Sequence, residues 1–281
     1  MRTLHFRLVN VFTQGSDRFS GNPLCVFEDG SGLDTPTMQS MALQFNLSET
    51  TFILPSTRAN AGVRIFTPKF EMQFAGHPTL GTAHICRALG RGGDSLTLDM
   101  PAGIIPVKAS GRSWTLEARA RGHREVEESR SQLADMLGLS PADIGDRPLW
   151  VNAGREQMVV PLTSEAAVRK AFVRADLLTK LQSTDGEGMA YIFAPTGEGR
   201  ALARFFFAQG VSAIEDPATG SAAANFGGWW LAMGKPLPTR VEISQGEYTG
   251  RPSLLHLHVD ADRRIFVSGE VIELGRGTVE L

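Results

Sequence analysis

A heptapeptide that occurs twice constrains this chain more than any other feature. His77-Pro78-Thr79-Leu80-Gly81-Thr82-Ala83 reads against Asp216-Pro217-Ala218-Thr219-Gly220-Ser221-Ala222 as [HD]-P-x-x-G-[TS]-A. The copies begin at His77 and Asp216, 139 residues apart, about half of the 281-residue chain. Self-similarity at a fixed spacing marks a repeated structural unit, and a chain of this length can form two cores. A strand-like segment precedes each copy, Arg64–Pro68 and Arg204–Ala208. Small and apolar residues follow each copy, Thr79–Leu89 and Ala218–Met233, and then come the helix-ending signals Gly90 and Gly234-Lys235-Pro236.

Each copy therefore predicts a helix, and one that is apolar all round is a buried one. Interior glycines cost about 1 kcal/mol each in helix propensity relative to alanine, so close packing must compensate. Around these helices the text is strand-like: short runs rich in β-branched and aromatic residues, bounded by Gly, Pro, Asn and Asp. Few helical patterns separate them, which favours a mainly antiparallel sheet. The expected class is α+β, with two similar domains, each a curved sheet wrapped around a central helix. The charged segment Arg119–Arg130 reads as a solvated linker. It divides the chain into domains 1–118 and 119–269, with 270–281 available to complete the first.

The pattern also points to chemistry. A proline just inside a helix start leaves first-turn N–H groups free, backed by the positive end of the helix dipole. Two such starts facing one cleft would hold a substrate carboxylate, assisted by the hydroxyls of Thr82 and Ser221. His77 and Asp216 then stand at equivalent positions at the helix mouths, although Asp216 could equally cap its helix.

Other classes lack support. A formal net charge of −2 leaves no electrostatic footprint for nucleic acid or an anionic membrane. No run of about 18 apolar residues predicts a membrane span. The N-terminus lacks a signal-peptide pattern, so a cytoplasmic protein is expected. Two cysteines, Cys25 and Cys86, make neither a disulfide framework nor a zinc site. His256 and His258 alternate on a strand without a third ligand nearby, so no metal is expected. Nucleotide-binding glycine motifs and the G-x-S-x-G elbow are missing, and no organic cofactor is expected.

With these residues in view, the chain resembles the phenazine-biosynthesis F-type (PhzF-like) isomerases, relatives of diaminopimelate epimerase. The resemblance rests on five segments in order: Phe19–Leu24, Leu47–Phe52, Arg64–Pro68, Gly76–Ala83 and Glu215–Ala222. It implies Glu49 as the principal proton-transfer group, with His77 and Asp216 in the same pocket. It also implies substrate contacts at Asn22, Gly76, Gly81, Thr82, Gly220 and Ser221, a small carboxylate-bearing substrate, and a homodimer. The related epimerases carry paired cysteines at the helix starts, and this chain has none there. A carboxyl screened from water can alternate as acid and base, as Glu49 would. The competing readings are a non-catalytic ligand binder on the same scaffold, a cofactor-independent epimerase, and a weaker one, a hydrolase using Ser221.

Overall fold

The computed structural model describes all 281 residues, Met1–Leu281, which fall into two compact units. Unit 1 comprises Met1–Glu117 and Ser268–Leu281; unit 2 comprises Ala118–Val267. Both are mixed α/β, dominated by strands with few helices.

In unit 1 the elements are β1 (Thr3–Val11), β2 (Asn22–Phe27), α1 (Thr35–Phe45), β3 (Glu49–Leu54), β4 (Ala61–Phe66) and β5 (Glu71–Met72). They continue with α2 (Gly76–Ala88), β6 (Ser95–Met100), β7 (Gly103–Ser110) and β8 (Ser113–Ala118). The C-terminal strand, Ile265–Glu280, pairs antiparallel with β1. Its other edge meets β8, where the Val271 N–H donates to the Arg112 carbonyl. Strand pairing thus closes on itself, from β1 through β2, β3, β4, β6, β7 and β8 to the C-terminal strand. Closure leaves those strands without an open edge, and α2 packs against β1, β2, β3, β4 and β6. Residues 76–83 of α2 are all buried, as its small and apolar text predicts.

Period-two alternation then sorts side chains to two faces. Thr51 faces α2, while Cys25, Phe27, Phe52 and Phe66 face outward beneath α1. The text fixes α1 locally. Asp34 accepts from the Thr37 N–H at 2.9 Å, Pro36 sits in the first turn, and Asn46 ends the helix in a left-handed conformation. Its apolar stripe brings Met38, Met41 and Ala42 onto that outer aromatic cluster.

Unit 2 contains β9 (Gly122–Glu125), α3 (Arg130–Leu137), β10 (Leu149–Asn152), β11 (Glu156–Pro161), α4 (Glu165–Lys170) and α5 (Ala175–Leu178). After these come β12 (Met189–Gly197), β13 (Arg200–Gln209), β14 (Ser212–Asp216), α6 (Gly220–Ala232), β15 (Thr239–Gln245) and β16 (Ser253–Val259). Its pairings repeat those of unit 1. β10 and β11 are antiparallel like β1 and β2, β11 and β12 parallel like β2 and β3, and β13 and β15 parallel like β4 and β6. Antiparallel too are β3–β4, β4–β5, β6–β7 and β7–β8 in unit 1, and β9–β10, β12–β13, β13–β14 and β15–β16 in unit 2. Helix α6 packs against β9, β10, β11 and β16. Outside, α3, α4 and α5 cover a second apolar cluster that includes Met158, Val160, Ile192 and Phe206.

Two expectations need correction. Residues 119–130 follow directly on the break between the units, but part of them is regular: Gly122–Glu125 form an exposed strand paired with β10. Edge pairing on one side needs no apolar alternation, so the charged text hides it. The repeat also has a different register from the one the heptapeptides suggest. Both central helices have 13 residues, and Gly76 matches Gly220 and Ala88 matches Ala232, a spacing of 144. Glu71 and Glu215 keep that spacing, each bound by an arginine two positions ahead of a phenylalanine. Arg64 bonds Glu71 at 2.6 and 2.7 Å and stacks on Phe66; Arg204 bonds Glu215 at 2.7 and 3.0 Å and stacks on Phe206. By this register His77 corresponds to Ser221, not to Asp216. The [HD]-P-x-x-G-[TS]-A match is offset by five residues, because small residues recur throughout both helices.

Candidate active-site residues in each unit

In unit 1 a buried hydroxyl pair ties the strand that carries Glu49 to the helix that carries His77. Thr51 Oγ1 and Thr82 Oγ1 lie 2.8 Å apart, joining β3 to α2. Glu49 is two residues before Thr51, on the same strand face, about 7 Å along at 3.3 Å per residue. His77 is five residues before Thr82, about 7.5 Å along the helix at 1.5 Å per residue. His77 Nε2 lies 3.3 Å from Glu49 Oε2.

The pair is sheltered: the Glu49 and His77 side chains are 16% and 7% exposed. Burial lowers the His77 pKa from 6.5 to about 3, opposed only in part by a hydrogen bond to the Pro23 carbonyl. The ring is thus neutral at neutral pH. Its one N–H is committed to Pro23, and Nε2, which makes no hydrogen bond, presents a lone pair toward Glu49. Asn22, next to Pro23, is fully buried at the start of β2 opposite Val11.

Gly76 is the first residue of α2, and no side chain caps that end. Two residues expected to face substrate face the core instead. A Cβ added at Gly81 would come within 2.6 Å of Leu24 Cδ2 and 3.0 Å of Val11 Cγ2, so this glycine lets the helix approach the sheet. The Thr82 hydroxyl is fully buried and occupied by Thr51.

In unit 2, Asp216 ends β14 directly opposite Phe205, on the face away from the Arg204–Glu215 pair. It does not cap α6, whose N-cap is Thr219 and which begins at Gly220 without a side-chain cap. Pro217 accordingly lies outside its helix, whereas Pro78 is the third residue of α2. The Thr219 hydroxyl donates to Asp216 Oδ2 at 2.5 Å. Gln245 holds both ends of this turn, its Nε2 donating to the Asp216 carbonyl at 2.9 Å and to Thr219 Oγ1 at 3.1 Å. Thr219's acceptor capacity is thereby engaged, and its proton is directed at Asp216.

Ser221, the second residue of α6, accepts a hydrogen bond from Gln157 Nε2 at 2.9 Å. No role is assigned in the sequence to Thr219, which lies within the second heptapeptide, nor to Gln245, Gln157 and Asn225. A buried amide inside an apolar strand or helix was the one signal that could have found them.

A family model for phenazine biosynthesis-like proteins, PhzC-PhzF, matches residues 9–277. The chain belongs to this family. An isomerase of Pasteurella multocida, itself named as uncharacterized, is 36% identical over 277 residues, covering 97% of this chain and 92% of its own. The trans-2,3-dihydro-3-hydroxyanthranilate isomerase of Pseudomonas chlororaphis is 33% identical over 295 residues, 99% of each chain. A crystal structure of a PhzF-family phenazine biosynthesis protein from Bacillus anthracis superposes with a TM-score of 0.87 over 100% of both chains, at 22% identity, which is a likeness of fold. The protein is an isomerase of the PhzF type. No helix is long and apolar enough to cross a membrane.

Proposed function

We propose that the chain is a cofactor-independent isomerase that moves a hydrogen on a small carboxylate-bearing metabolite, with Glu49 as the proton carrier. The single observation that carries this reading is Glu49 Oε2 lying 3.3 Å from the bare Nε2 of a buried, neutral histidine. The carboxylate of Glu49 takes a proton from one substrate carbon, and the electron pair of that C–H bond moves into the adjacent π system. The resulting carboxylic acid can donate to His77 Nε2 while it waits. It then returns the proton at the far end of the π system, so no proton is gained or lost overall. Positioned acid–base groups contribute about a hundredfold to ten-thousandfold in rate.

Asp216 and Ser221 are assigned to the same reaction as fixed-polarity groups, one accepting and one donating. The uncapped first turns of α2 and α6, at Gly76 and Gly220, suit a carboxylate. The substrate class is that of the Pseudomonas chlororaphis relative, a cyclic dihydro-hydroxyanthranilate or a close analogue. We also read the two units as a pseudo-symmetric pair with a diaminopimelate epimerase-like fold, a reading supported by their repeated strand pairings. The test is Glu49→Gln. It should bind substrate and lose turnover by at least a hundredfold, measured by absorbance of the dihydro ring; unchanged turnover removes Glu49 from the reaction.

A further inference from the structure

Unit 2 carries a buried polar chain at a position where unit 1 is apolar. It starts at the backbone N–H of Ala153, which donates to Asn225 Oδ1 at 2.7 Å. A backbone N–H cannot reverse its polarity, so the Asn225 amide has one orientation. Its Nδ2 donates to the Arg155 carbonyl at 2.9 Å and to Gln157 Oε1 at 2.8 Å. That in turn orients Gln157, whose Nε2 donates to Ser221 Oγ at 2.9 Å. Both amide side chains are buried, Asn225 at 0% and Gln157 at 1% exposure.

The repeat supplies a control within the same molecule. With Gly76 on Gly220, Asn225 corresponds to Gly81. With the strand registers Cys25–Thr50–Phe66 on Met158–Ala190–Phe206, Gln157 corresponds to Leu24. In unit 1 those two positions close an apolar contact, with Leu24 filling the space beside Gly81. The scaffold therefore has a solution there that needs no buried amides. Burying two amides is costly unless every hydrogen bond is made; Asn225 satisfies backbone groups of Ala153 and Arg155, whereas the Gln157 side chain bonds only to the side chains of Asn225 and Ser221.

We propose that Gln157 is a positioning residue that fixes the hydroxyl of Ser221 as a hydrogen-bond donor to ligand. With its oxygen accepting from Gln157, Ser221 must direct its proton elsewhere. It sits partly exposed at the second position of α6, the position His77 holds in α2. A hydroxyl with preset donor polarity recognises an anionic or carbonyl oxygen and does not have to reorient when ligand arrives. The inference rests on the functional reading above, in which Ser221 contacts substrate.

Steady-state kinetics on trans-2,3-dihydro-3-hydroxyanthranilate would compare the wild type with Gln157→Leu, Ser221→Ala and the double variant. Leucine is the residue unit 1 uses, and the bonds from Asn225 to Ala153 and Arg155 survive the change. Gln157→Leu should raise KM about tenfold, the effect of losing one hydrogen bond to a charged group, with kcat within about twofold. The same change should add nothing in the Ser221→Ala background. An unchanged KM, or an equal loss with and without Ser221, overturns the proposal. If the wild type does not turn this compound over, the functional reading's substrate fails. The same four proteins are then titrated calorimetrically with 2-aminobenzoate, where the same pattern is required. Wild-type protein that binds neither compound overturns the inference as well.

Discussion

At neutral pH the ring of His77 should be neutral, with its proton on the nitrogen that faces Pro23 and a bare Nε2. Burial lowers its pKa from 6.5 to about 3, and the Pro23 hydrogen bond restores only part of the difference. The folded-state value lies below the unfolded one, so between the two the unfolded chain binds more protons. The stability contributed by the neutral ring is therefore complete above about pH 6.5 and is lost as pH falls toward 3, at roughly 1.4 kcal/mol per pH unit. At pH 4.5 the loss from this one residue is about 3 kcal/mol. Urea unfolding at pH 7 and pH 4.5 measures it by difference against His77→Asn, which keeps a donor near Pro23 and does not titrate. The wild type should lose about 3 kcal/mol more than the variant. Ring nitrogen chemical shifts in histidine-labelled protein report the tautomer directly. Equal acid losses in the two proteins, or imidazolium shifts at pH 7, would refute the reasoning. The second outcome would replace the neutral ring by an imidazolium paired with Glu49, and Nε2 could no longer accept the proton of a Glu49 acid.

Thr219→Val removes the hydroxyl that donates to Asp216 at nearly constant volume. A hydrogen bond to a charged group contributes roughly 1.5–3 kcal/mol, so Tm should fall by several degrees and kcat/KM of the folded protein by about tenfold or more; an unaltered kcat/KM separates Thr219 from the role of Asp216. Gly81→Ala places a Cβ within 2.6 Å of Leu24 Cδ2. Overpacking of about 1–3 kcal/mol outweighs a helix-propensity gain of about 1 kcal/mol, so urea denaturation should show a net loss of up to about 2 kcal/mol. Gly93→Ala, where the added carbon meets open space, should stay within about 0.5 kcal/mol of wild type. Cys25 and Cys86 are fully buried, and burial pushes both thiols up, Cys86 to about 12. An aromatic disulfide reagent at pH 8 should label neither until urea is added; rapid labelling with loss of turnover would bring back thiol chemistry.

Much of unit 1 was legible because its signals are local. Asp34 and Pro36 announce α1, period-two alternation announces β1, and glycine and alanine text that is apolar on every side announces buried helices. What stayed hidden was set by tertiary contacts. β9 has no apolar residue to reveal it, and β14 carries Glu215 and Asp216 on opposite faces, which reads as loop. The heptapeptide echo found the right helices in the wrong register. Its consensus rests on small residues, and these are required wherever a helix touches a sheet closely, as Gly81, Gly227 and Gly228 do. The proximity of Glu49 to His77 was implied by family resemblance alone, because β3 and α2 are brought together by tertiary contacts such as Thr51–Thr82 that join positions with no pattern in common.

The corrected register changes what the duplication means for the chemistry. Under the heptapeptide match, His77 and Asp216 would be counterparts, and the molecule would resemble a two-base racemase with a proton carrier in each half. Under the structural match, the counterpart of Glu49 is Met189 and that of His77 is Ser221, while Asp216 corresponds to Met72. Unit 1 thus holds the pair able to exchange a proton, a carboxyl group beside a bare imidazole nitrogen. Unit 2 holds groups whose hydrogen bonds set their polarity, with Thr219 donating to Asp216 and Gln157 donating to Ser221. A hydrogen shift within one substrate can be served by a single carrier that both takes and returns the proton. The single-carrier isomerisation proposed above calls for this unequal placement, and Glu49→Gln is the variant that tests it.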